Sequence, residues 1–572
     1  MAVTLQIWSL PAELAERILS IVDSNQVATS FRLVSKDAAA LCSGSKYATI
    51  HLSQPVAPHV FASKWLAPGA TRELTLQERR QLLCLTAASG VLQNLEVALV
   101  ATDCLPTAEL LRAAAAGGKL ELFTWLTTRV SLPACEYDRV LSAAAGGGQT
   151  HVCEWLHAAG LCTLDPSLSL LPAAAAAAHG GHRGTMEWAV AQCGWPQGAA
   201  YQEPDLLRAV IHGFDLPALQ HVWDPRKASI LGAMCVTAAA GSPTADWAAK
   251  VEWLEAQGCP RTNTAARHVA ALPDAEALAR LAWLRGRGYP LNEETVQAAA
   301  GRGNTAALQL LLAEVPAPRP EQVFFRSQLA TLAAAGGGHL AALQSLCAAG
   351  WGLQVPSALD AAACGGHVRV IDWLLAVQAP AAGLAMEQLL GPGLFHAAAK
   401  SGSVELLAWL RARGCGWDFG AYGGAAESGC VAALEWLAEQ GCPLRLTGHE
   451  YVAPCSECDM ATLRRLRQMG CPWGVDGEVM RSAIAAGAPL PLLQWLLEAG
   501  CSVNVPKALR AASGSVNGFA APHLGDWLPM RKRAIRRLLR RFGWYPRRIT
   551  LRQPLAVAGG ADAPGGVAHG PV

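Results

Sequence analysis

Residues 394–417 read LFHAAAKSGSVELLAWLRARGCGW. Phe395 to Lys400 predicts one short helix, ended by Ser401 and Gly402. Val404 to Arg413 predicts a second, with Val404, Leu406, Leu407 and Leu410 on an apolar stripe near helical spacing. Gly414 stands where a helix must turn left-handed, which glycine does without a Cβ clash. One such hairpin cannot bury its apolar faces alone, so the reading requires neighbouring copies.

With Trp409 as anchor, the same slot recurs at Val97, Trp125, Trp155, Trp188, His221, Trp253, Trp283, Leu310, Ser345, Trp373, Trp436, Arg465 and Trp495. That makes about 14 units of roughly 31 residues, with single spacings from about 27 to 36. Seven residues before the anchor, glycine recurs at Gly90, Gly118, Gly148, Gly181, Gly303, Gly338, Gly366, Gly402 and Gly429. Five residues after it, glycine recurs at Gly160, Gly258, Gly288, Gly350, Gly414, Gly441, Gly470 and Gly500. Two glycine rows and one bulky apolar row in phase predict a helical solenoid.

The unit resembles the ankyrin repeat. Residues 492–505, LLQWLLEAGCSVNV, are similar to that family's LLLEAGADVN ending, and His396 falls where its TPLH histidine sits. The period is mostly shorter than the family's 33 and Trp replaces the usual Leu, so the resemblance implies stubby connecting hairpins. It also implies a protein ligand held on one solenoid face.

Hydrophobic residues make up 52% of the 572, which marks a folded chain, and the formal net charge is +2. Of eighteen cysteines, Cys259, Cys415, Cys442, Cys471 and Cys501 share one slot after the second glycine row. Neighbours in that slot would lie about 10 Å apart along the stack, too far for a bridge. The expected compartment is therefore reducing, cytoplasmic or nuclear, for a soluble protein. Met1 to Leu10 lacks a basic signal-like start, and the longest apolar run, Leu170 to Ala178, is too short to span a bilayer.

Before the solenoid, residues 1–52 hold an ordered string: Leu10, Pro11, Glu13 and Leu14, then Ile18 and Leu19, then Leu33, Val34, Ser35 and Lys36. A first helix is expected around Leu14, Ile18 and Val22, and a second over roughly 26–42. This string resembles the F-box. The resemblance implies docking on the small linker subunit of a cullin-type ubiquitin ligase through Leu10, Pro11, Leu14, Ile18, Leu19 and Val34. The plainer reading is an amphipathic hairpin that caps the solenoid. Residues 53–81, with Pro55, Pro58 and Pro68, read as a semi-extended linker, and 82–530 as the solenoid.

The nine anchor Trp residues are expected mostly buried between second helices, with partial burial where the indole N–H keeps a partner, rather than as an exposed stacking ladder. Cys455 and Cys458 form a lone Cys-x-x-Cys without a partner pair, so no zinc or other metal and no cofactor is expected. His182, His339 and His367 each follow a row glycine and mark turn geometry. No nucleotide-loop, nucleophile-elbow or zinc-protease motif is present, and the chain reads as non-enzymatic. Residues 531–552 hold ten basic residues and no acid, with Ile535, Leu538, Leu539 and Phe542 forming one stripe. They read as a capping helix, with Arg536, Arg537, Arg540 and Arg541 as candidates to meet an anion such as nucleic acid or acidic lipid. Residues 553–572 read as a disordered tail.

The expected architecture is thus all-α: an ankyrin-like solenoid with a small N-terminal F-box-like unit. The leading reading is a monomeric adaptor that presents a protein substrate to a ligase. The alternatives are a scaffold with a degenerate F-box and a protein directed to anions by its basic helix.

Overall fold

In the computed structural model, Pro392–Lys400 and Val404–Ala412 form the two helices of the reference unit. Pro392 occupies the first turn, where its missing N–H costs nothing. Ser403 caps the second helix, its hydroxyl accepting from the Leu406 N–H at 3.2 Å. Leu406, Leu407 and Leu410 are fully buried, as is Cys415 beyond the turn. The described residues are 12–44, 47, 49–130, 132–163, 165, 168–194, 203–223, 228–318, 328–444, 448–512 and 527–542. Among them the fold is all-helical, with a single isolated bridge between Cys104 and Asp459 and no strand.

Both glycine rows adopt positive φ throughout, from Gly90 to Gly429 in the first and from Gly160 to Gly500 in the second. The reasons differ. In the second row, a Cβ at Gly350 or Gly414 would meet nothing within 4 Å, so backbone conformation alone selects glycine. In the first row the next unit lies on top. A Cβ at Gly338 would sit 2.5 Å from the His367 ring, and one at Gly303 would sit 2.4 Å from His339. The recurrent histidines lie across the preceding turn, and His367 Nε2 is 3.0 Å from the Gly336 carbonyl oxygen. His396 makes a similar tie, its Nδ1 2.7 Å from the Gly420 oxygen.

Successive first helices, rich in alanine, pack tightly on one another, while second helices of adjacent units touch less. The first helices therefore line the inside of the curve. Among the described residues a typical connection is a short loop, as at 287–292 between helices Asp274–Gly286 and Glu293–Arg302, while the one after Val368–Trp373 runs on through Leu374–Gln378 and the short helices Ala379–Ala381 and Met386–Leu389. No connecting hairpin of strands occurs among the described residues, so the stubby fingers expected from the ankyrin resemblance are replaced by plain loops.

The curve closes on itself. The N-terminus of helix Leu76–Ser89 meets the turns at Gly402 and Gly429, and its Arg80 donates to the Glu457 carbonyl of the next turn. Arg79 donates from Nη1 to Asp459 Oδ1 at 2.9 Å and from Nη2 to Asp459 Oδ2 at 2.8 Å, across 380 residues of chain. It also donates to the carbonyls of Gly429 at 2.7 Å and Thr102 at 3.1 Å. Thr462 completes the shell, donating its hydroxyl to Asp459 at 2.6 Å. Outside this core lie Arg80–Glu457, Arg464–Asp103 and Arg72–Glu435, and the Ala432 N–H donates to the Arg72 carbonyl at 3.0 Å.

Two sequence expectations are corrected. The stretch read as a linker contains the helix Pro58–Trp65, with Pro58 in its first turn, and Phe61 and Val56 are buried. The Asn94 side chain donates to the Val56 carbonyl at 2.8 Å, which ties this segment to the first unit. The solenoid begins at Leu76, capped by a reciprocal Thr75–Glu78 box. In the N-terminal unit, the helix expected over 26–42 is broken into Ser24–Thr29, a short turn at Phe31–Leu33, and Lys36–Leu41. Asp23 and Ser35 each cap a new start there, which competes with continuation. All nine anchor Trp rings are partly buried and pack against the core edge, as expected of an indole that keeps its N–H near a polar partner. The leucines flanking each anchor, such as Leu406, Leu407 and Leu410, take the interior instead.

Candidate binding surfaces

The N-terminal unit has a small core of its own. Helix Ala12–Ile21 places Leu19 against Val27 and Cys42, with Val22, Phe31 and Tyr47 beside them. Asn25 anchors the exit of the unit, donating from Nδ2 to the His51 carbonyl and accepting from the His51 N–H at 2.7 Å. Of the residues predicted to touch a partner, Leu14 is 47% exposed and Val34 is 63% exposed, whereas Leu19 is buried and cannot serve directly. Ile18 lies within the helix; Leu10 and Pro11 lie outside the described residues. Two further apolar residues are more open still, Ile21 at 85% and Leu33 at 76%. Ile21 was missed because seven residues separate it from Leu14, which places both on one helix face but beyond the motif.

Along the outside of the solenoid, three of the half-buried anchor rings, Trp125, Trp283 and Trp409, carry an arginine. The Arg413 guanidinium sits 3.5 Å from the Trp409 ring centroid and that of Arg129 sits 3.6 Å from Trp125. Six of the nine rings also meet an aromatic partner edge-on, as in Trp253 with Trp223 and Trp283 with Trp247. A partly polar rim suits tryptophan better than leucine: its ring covers the core edge, and at Trp125, Trp283 and Trp409 it takes an arginine above.

The terminal helix Trp527–Arg541 docks on the helix Leu490–Glu498. Ile535 and Leu539 are buried, with Leu538 and Phe542 partly so. Arg537 and Arg541 are exposed, while Arg536 and Arg540 are intermediate. Arg547, Arg548 and Arg552, and the tail over 553–572, lie outside the described residues.

Inside the array one polar cluster was invisible in the sequence. Lys250 is wholly buried and donates to the carbonyls of Ile211 at 2.7 Å and Phe214 at 2.8 Å, and to the Ser242 hydroxyl at 2.7 Å. It thereby caps the end of helix Pro204–Gly213. Burial lowers its pKa to about 8, against the pull of Asp246 and Asp215. The His212 ring stacks on His179 with centroids 3.9 Å apart, and burial followed by the His179 charge holds it down to about 4. With all three ammonium protons used and no exposed surface, Lys250 is arranged to hold a turn together.

Cys259, Cys415, Cys442, Cys471 and Cys501 are buried and free. The Cys415 thiol donates weakly to the Gly391 carbonyl at 3.5 Å, and Cys442 to that of Asp418 at 3.4 Å, so in these two units the slot is tied to the loop before the first helix. Cys455 is buried, and Cys458 takes the row-glycine position with φ 57°. No group of three or more His, Cys, Asp or Glu able to hold a metal occurs among the described residues. No helix among them is long and apolar enough to cross a membrane.

No family model matches the chain, and no curated protein matches it. Among solved structures, the pentatricopeptide repeat protein PPR10 from maize is 11% identical, covering 93% of this chain and 82% of its own, with a TM-score of 0.23. The same protein in complex with an 18-nt psaJ RNA element is 12% identical, covering 89% of this chain and 95% of its own, with a TM-score of 0.24. Likeness at this level says nothing of what the present chain binds.

Proposed function

We propose that this chain is a non-enzymatic binding adaptor, in which the N-terminal unit docks one partner and the closed solenoid holds another. The observation that carries the reading is the set of open apolar side chains Leu14, Ile21, Leu33 and Val34 on a unit whose own core is already filled by Leu19, Val27 and Cys42. Exposed apolar surface of this kind on a soluble unit marks an interface. Taken with the F-box resemblance, the partner would be the small linker subunit of a cullin-type ubiquitin ligase. The solenoid would then present a protein substrate in the cytoplasm or nucleus.

Closure supports the second half of the reading. A solenoid fixed by a buried ion pair holds one curvature, so its binding face is preorganised and loses less on association. The test is affinity purification of the full chain beside a chain lacking residues 1–52. Recovery of ligase subunits with the first and not the second supports the adaptor. Recovery of the same partners by both, with no ligase subunit in either, leaves a plain scaffold.

A further inference from the structure

Charge is strongly segregated along this chain. Although the whole carries +2, residues 460–542 hold thirteen Lys or Arg and only four Asp or Glu. Asp476 is engaged by Lys507 and Glu478 by Arg481, and Glu498 accepts from Gln494 at 2.7 Å. The terminal helix carries Arg531, Lys532, Arg533, Arg536, Arg537, Arg540 and Arg541 with no acid among its fifteen residues. Capping alone does not call for this. A cap needs a polar outer face, which mixed charges supply. Here Arg533 and Arg537, Arg536 and Arg540, and Arg537 and Arg541 stand four apart with like charge, an arrangement that weakens a helix. The helix persists because Ile535 and Leu539 are sunk into the end of the solenoid.

We propose that this C-terminal face binds single-stranded nucleic acid, the arginines of the terminal helix meeting phosphates and neighbouring tryptophan offering a ring to a base. The terminal helix packs on Leu490–Glu498, which carries the half-buried Trp495, and Trp495 meets Trp473 edge-on at 6.0 Å. A positive helix packed on one that carries a partly buried aromatic ring supplies both the charge and the ring that an unpaired strand uses. A duplex keeps its bases stacked on each other and has none to give the ring. Insertion into an acidic membrane surface would take the apolar stripe of the helix, of which Ile535 and Leu539 are already buried in the solenoid and Leu538 and Phe542 partly so. This inference is independent of the N-terminal unit, so it stands or falls apart from the adaptor reading.

The experiment is fluorescence anisotropy of labelled oligouridine with the full chain, from about 50 to 200 mM salt. Oligothymidine, a duplex of equal length, polyglutamate and phosphatidylserine vesicles serve as the other ligands. The expected result is binding to oligouridine or oligothymidine in preference to all three others, with a steep inverse dependence on salt. The quadruple variant R536Q/R537Q/R540Q/R541Q should weaken binding about tenfold or more and reduce the log–log salt slope by about 3. Because Arg536 and Arg540 are partly buried, the double variant R537Q/R541Q is measured beside it and should lose about half of that slope. Absence of single-strand binding at the lowest salt, equal binding by both variants, or preference for duplex, polyglutamate or vesicles would each overturn the proposal.

Discussion

Arg79 and Asp459, 380 residues apart, form a two-pronged ion pair in which the arginine is 1% exposed and the aspartate is not exposed at all. The pair joins the first solenoid unit to the row of turns near the other end. Its net worth against a well-packed apolar pair is small, because both charges lose their water. Removing only one partner is another matter, since the survivor stays buried and uncompensated. Arg79→Ala should cost about 3–5 kcal/mol locally. Hydrogen exchange should show protection lost around 71–105 and 429–465 and kept near 281–311, because repeat units couple only to neighbours. Uniform loss along the array would contradict the closure.

The two glycine rows give a paired test. Gly350→Ala introduces only the cost of a left-handed residue, about 1 kcal/mol. Gly338→Ala adds a collision with the His367 ring and should cost clearly more. Thermal melts of the two variants check the order; equal costs would mean that the turn ladder is not as tight as described.

Acid should loosen the units between 204 and 257. The folded pKa of His212 lies near 4, below its ordinary value of 6.5, so between those pH values the unfolded chain binds more protons than the folded one. Stability contributed by neutral His212 is therefore fully present above pH 6.5 and is lost as pH falls toward 4. His212→Asn should flatten this part of the stability–pH curve, measured by denaturant unfolding at steps across the window. An unchanged slope would assign the acid sensitivity elsewhere.

Leucine and not tryptophan holds the interior of each unit. Leu410→Ala should cost about 2–5 kcal/mol, the range for a fully buried leucine. Trp409→Ala should cost less, because its ring is half-buried and capped by Arg413. Denaturant midpoints of the two variants decide the order.

The repeat was legible because it is written locally and many times. Gly402 and Gly414 bracket one helix, and the same pair returns with the same backbone angles in unit after unit. The Trp row was legible as well, since it marks the apolar stripe and packs against the core with its rings partly buried, while Leu406 and Leu407 are fully buried. Pro58 misled: it starts a helix as readily as it extends a linker, and only the burial of Phe61 decides which. The closure had no local signature at all. Nothing around Arg79 or Asp459 points to the other, since their pairing follows from the summed curvature of the intervening units. At the candidate interface, the motif located the unit but not which side chains stay open, and Leu19 went inward to meet Val27 and Cys42.

The adaptor reading meets its most direct test in binding of the full chain to purified ligase linker subunit by titration calorimetry. The wild-type chain should bind, and the double variant Leu14→Asp with Val34→Asp should not, because docking would bury two unpaired carboxylates. Both positions are exposed in the free chain, so the variant should melt like the wild type. No heat of binding from the wild type, or equal affinity from a folded double variant, would contradict the account.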